Sequence, residues 1–103
     1  MNRELPALTD CKKDLSIMFQ EKGFVISFDS SRINFLICKV LQKEVNDSIV
    51  NAMIEAFQIL QKHKMPLSSV WIRSGYCGFT LKKPFSYQEV GEKLDRLKFN
   101  LQN

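Results

Sequence analysis

Residues 47 to 63, DSIVNAMIEAFQILQKH, constrain the fold more than any other stretch of the chain. Ile49, Val50, Met53, Ile54, Phe57, Ile59 and Leu60, with Ala52 and Ala56, recur at helical spacing and cover well over half of the circumference. Asn51, Glu55, Gln58 and Lys62 are left as a narrow polar stripe. A helix this apolar has to be covered on more than one side, so other elements must be built around it. Asn46 stands before it as an N-cap, Val45 and Val50 are placed as a hydrophobic staple, and Pro66 follows as a stop.

Two weaker helices flank it. Thr9 and Asp10 offer an N-cap for a helix in which Cys11, Leu15, Met18 and Phe19 share one side, with Gly23 as its left-handed stop. At the other end Ser86-Tyr87-Gln88-Glu89 reads as a capping box, Phe85 can staple onto Val90, and Val90, Leu94, Leu97 and Leu101 form a narrow stripe suited to packing by one side only.

Between the helices lie residues with the composition of strands. Phe24 to Phe28 alternate, and Asp29-Ser30-Ser31 has turn chemistry. Residues 32 to 41 fit a strand with Ile33, Phe35 and Ile37 on one face, or a helix capped by Ser31. The strand is preferred because it gives Phe24 to Phe28 a hairpin partner. The helix would suggest a helix-turn-helix, but Glu44 to Asp47 lacks the glycine common in such a turn. Residues 69 to 74 and 78 to 82 form a second hairpin, with Val70, Ile72, Phe79 and Leu81 pointing one way and Trp71, Arg73, Thr80 and Lys82 the other. The expected order is αββαββα. It predicts an α+β fold, one domain over residues 1–103, with a four-stranded, mainly antiparallel sheet carrying helices on one face.

Several function classes find little support. Cys11, Cys38 and Cys77 are an odd number at wide spacing, which matches neither a disulfide framework nor a zinc site, and no cofactor motif is present. The N-terminal MNRELPALTDC has no apolar core of a signal peptide, and no apolar run approaches the roughly 20 residues of a membrane span. The expectation is therefore a cytoplasmic protein with no membrane partner. In Gly75-Tyr76-Cys77-Gly78 a thiol stands between two glycines, but Gly78 leads into a strand and not into the helix N-terminus that a phosphate loop requires. These four residues read as a hairpin connection with Tyr76 and Cys77 at its tip, Gly75 and Gly78 supplying positive φ. A thiol-dependent enzyme would need His63, the chain's single histidine, as a base. It sits at the end of the central helix, where a cation complements the helix dipole. No catalytic residue is assigned.

Binding is what remains. The sheet face away from the helices is expected to carry Val25, Leu36, Cys38, Trp71 and Arg73, too apolar for a solvated face. Tryptophan and arginine concentrate binding energy at protein interfaces, so the first expectation is a small non-catalytic module that binds a protein partner or itself as a homodimer. The second is nucleic-acid binding by a basic sheet face through Arg32, Lys39, Arg73, Lys82 and Lys83. The net charge of +4 allows this, but no arm or tail gathers the charge.

Overall fold

The computed structural model of the protein describes residues 6–32, 35–41, 45–73, 75–81 and 86–102. Among these residues the elements are α1 (Pro6–Glu21), β1 (Val25–Arg32), β2 (Phe35–Leu41), α2 (Asp47–Lys62), β3 (Leu67–Arg73), β4 (Tyr76–Leu81) and α3 (Tyr87–Gln102). The four strands form one antiparallel sheet in the order β1-β2-β4-β3, so two hairpins join through their second strands.

Helix ends follow local chemistry. The Asn46 side chain accepts the Ile49 amide at 3.1 Å at the start of α2, and Ser86 Oγ accepts the Glu89 amide at 3.3 Å at the start of α3. Gly23, with φ of 84°, stops α1, and the Phe24 amide returns to the Phe19 carbonyl at 2.9 Å. The start of α1 differs from expectation: Pro6 opens it and Thr9 and Asp10 lie inside. The fixed φ of proline suits the first helical position. Asp29, Ser30 and Ser31 are likewise not a turn. They lie within β1, whose register against β2 becomes irregular between Asp29 and Arg32; strand pairing overrides their local preference. Phe85 lies outside the described residues.

The helices cover one face of the sheet, with α2 in the middle of the layer. Asp14 of α1 meets His63 Nε2 at 2.8 Å, and Lys22 meets Glu55 of α2 at 3.1 Å. On its other flank α2 meets α3 where Gly91 lets the Phe57 ring approach, and Phe57 packs edge-to-face on Tyr87. Met53 of α2 reaches down to Cys77 of β4, Sγ to Sδ 3.6 Å. Phe19, Phe79, Leu15, Ile49, Met53, Leu60, Leu67 and Leu94 are almost wholly buried in this layer. Each such side chain contributes roughly 1.5–3 kcal/mol relative to exposure. Asn51, Glu55, Gln58 and Lys62, the expected polar stripe of α2, are all exposed. No helix among the described residues is long and apolar enough to cross a membrane.

Candidate functional site: the open face of the sheet

The pleat of the sheet assigns every paired position to a side. On β4, Cys77, Phe79 and Leu81 are buried under the helices, so Tyr76, Gly78 and Thr80 belong to the opposite, open side. Cross-strand pairing extends that side over the whole sheet. One row runs Val25, Leu41, Tyr76, Arg73, and the next runs Ser27, Lys39, Gly78, Trp71.

Three side chains converge across these rows. Tyr76 lies diagonally between Lys39 on one neighbouring strand and Trp71 on the other, the two residues whose direct partner on β4 is Gly78. Glycine places no side chain between Lys39 and Trp71. The Trp71 and Tyr76 rings meet edge-to-face at 5.5 Å, and Lys39 Nζ lies 4.9 Å from the centre of the Tyr76 ring. Trp71 Nε1 donates to Thr80 Oγ1 at 3.1 Å, which fixes the indole in its half-buried setting. Together Lys39, Trp71, Arg73, Tyr76 and Thr80 line an open depression of about 390 Å³. At the end of the Tyr76 row, Val25 and Leu41 leave 62% and 52% of their surface in water. Such exposed aliphatic residues continue the cluster towards β1.

Of the expected interaction residues, Val25, Trp71 and Arg73 share this side, and so does Lys39 from the second set. Positions 36 and 38 do not. Leu36 pairs with Leu81 and Cys38 with Phe79, which puts both positions on the helix side with Val40, while position 37 falls on the open side. In FLICKVL both alternating sets are apolar, so hydrophobicity does not distinguish them; Lys39, in phase with Phe35 and Ile37, was the available clue. Arg32 ends β1 opposite Phe35. Lys82 and Lys83 lie outside the described residues.

The connection between β3 and β4 is also shorter than expected. β3 runs to Arg73 and β4 already begins at Tyr76, with Gly75 at φ of 87° before it, so Tyr76, Cys77 and Gly78 are all inside β4. Tyr76, expected at a loop tip, is thus an aromatic of the open face. Cys77 is fully buried against Met53, and burial pushes its thiol up to about 12, far from a reactive thiolate. Cys11 is raised to about 12 as well, by burial first and by the neighbouring Asp14 carboxylate second. His63 pairs with Asp14 on the helix layer. Among the described residues no group of three or more His, Cys, Asp or Glu could hold a metal ion. Comparison of the chain with protein-family models, with curated proteins and with solved structures finds no match.

Proposed function

We propose that the protein is a non-catalytic module that binds a protein partner across the open face of its sheet. The observation that carries this reading is the cluster of Trp71, Tyr76 and Arg73 bordered by exposed Val25 and Leu41. Tryptophan, tyrosine and arginine are the residue types that dominate binding energy at interfaces, and a tethered indole loses little freedom on binding. The aliphatic border supplies the apolar area that a protein surface can match.

Single-stranded nucleic acid is the second reading, since bases stack on aromatic side chains among cations. The geometry favours protein. Trp71 and Tyr76 turn an edge onto a face instead of presenting two faces side by side on which successive bases could stack. A homodimer centred on this cluster would set the cations Lys39 and Arg73 of one copy against those of the other, which favours a different chain as partner.

The test is affinity capture from a lysate with and without nuclease treatment, using the wild-type chain and Trp71→Ala, both checked for folding by circular dichroism. A protein retained by the first and lost with the second is expected. Material that disappears on nuclease treatment would overturn the reading in favour of nucleic acid.

A further inference from the structure

The proposed binding face has a charge asymmetry that specifies its occupant. Lys39 on β2 and Arg73 on β3 stand on either side of Tyr76, and the acid on the described open side, Asp29, lies on β1 opposite position 37, diagonal to Lys39 and on the side of β2 away from Tyr76 and Trp71. Two strand spacings and a two-residue offset separate Lys39 from Arg73, roughly 12 Å between Cα atoms. Between these cations lies the depression floored by Trp71, Tyr76 and Thr80. A side chain entering it would meet ring carbon, and groups on either side of that anchor would meet positive charge.

The approach is also restricted. Two carbonyls of β3 are capped from α3 and the residue before it: the Ser86 amide donates to the Leu67 carbonyl at 3.2 Å, and Lys93 Nζ donates to the Val70 carbonyl at 2.8 Å. An added strand could not pair with those two carbonyls, whereas the open face above the cluster is free of the helices.

We infer that the occupant is an acidic protein segment that seats one apolar or aromatic side chain on Trp71 and Tyr76 and directs flanking carboxylates to Lys39 and Arg73. This rests on the reading of the open face as a protein-binding site. Complementary charge sets orientation and association rate, and the apolar anchor supplies the desolvated contact. The spacing suits carboxylates about seven residues apart on a helix, or about three to four apart on an extended chain.

Trp71 is the chain's single tryptophan, so its emission reports on the site directly. Three probes are titrated at about 150 mM salt, where exposed charges are screened beyond ~8 Å: a glutamate-rich peptide with one central phenylalanine, the same peptide with every Glu replaced by Gln, and an oligo(dT) strand. The acidic peptide is expected to shift Trp71 emission at a concentration at least tenfold lower than the glutamine peptide. Lys39→Glu with Arg73→Glu should abolish that preference. Equal binding of the two peptides would overturn the inference while leaving the face as a protein site. Tighter binding of oligo(dT) would overturn both. No response to any of the three overturns the inference and leaves the capture experiment to decide the broader reading.

Discussion

Cys77 shows how much depends on two residues of loop length. At a hairpin tip its replacement by serine would be nearly neutral; inside β4, against Met53, the same change puts a hydroxyl among apolar atoms. We expect Cys77→Ser to lower stability by about 1–3 kcal/mol in urea denaturation, with Cys77→Ala milder because it buries no unsatisfied polar group. The two buried thiols also set an alkaline limit. Cys11 and Cys77 titrate near 12 in the fold against an ordinary value of 9.0. Between about pH 9 and 12 the unfolded chain has lost these protons and the folded chain retains them, so stability falls as pH rises, by at most ~1.4 kcal/mol per pH unit for each thiol. Denaturation midpoints measured from pH 7 to pH 10.5 should decline above pH 9, and less steeply in Cys77→Ala. A parallel decline in that variant would assign the effect elsewhere.

At the scale of elements, the contact between α2 and α3 turns on Gly91. A Cβ at this position would stand 3.3 Å from Phe57 Cζ, tight but against a half-buried ring that can move by a few tenths of an ångström. Alanine gains about 0.8–1.0 kcal/mol in a helix interior relative to glycine. Gly91→Ala should therefore raise the melting temperature modestly, by less than about 1 kcal/mol in stability. Gly91→Leu cannot be absorbed by the same ring movement and should destabilise the α2–α3 contact by about 1–3 kcal/mol. Thermal unfolding of the pair distinguishes a gap held open for Phe57 from a glycine without consequence.

The whole molecule carries a net charge of +4 that is spread over its elements. Such a chain attracts polyanions at low salt without being built for them. If three or four phosphates were contacted, log K against log salt would fall with a slope of about −2 to −4. We expect weak oligonucleotide retention that vanishes near physiological ionic strength and does not distinguish base sequence or strandedness. Fluorescence anisotropy over a salt series measures this. Submicromolar binding persisting at about 150 mM salt would place nucleic acid ahead of protein as the partner.

Much of this architecture is determined by the order of residues alone. The circumferential apolar surface of α2, its Asn46 cap, the Ser86 cap of α3 and the Gly23 stop are all legible, because helix period and end chemistry are local properties. The strand nature of residues 35 to 41 and the α+β order follow from the same kind of evidence together with the need for a pairing partner. Which side of β2 faces the helices does not. Period two tells which residues share a side, but with apolar residues in both phases of FLICKVL only packing under the helix layer selects one phase: Val40 is buried opposite Cys77, and positions 36 and 38 share its phase. The same selection moved Cys77 from a tip into the core and brought Tyr76 onto the open side beside Lys39 and Trp71. Trp71 and Arg73 could be singled out by residue type; their joining with Tyr76 and Lys39 over Gly78 was decided by strand order and register, which are relations between segments distant in the chain.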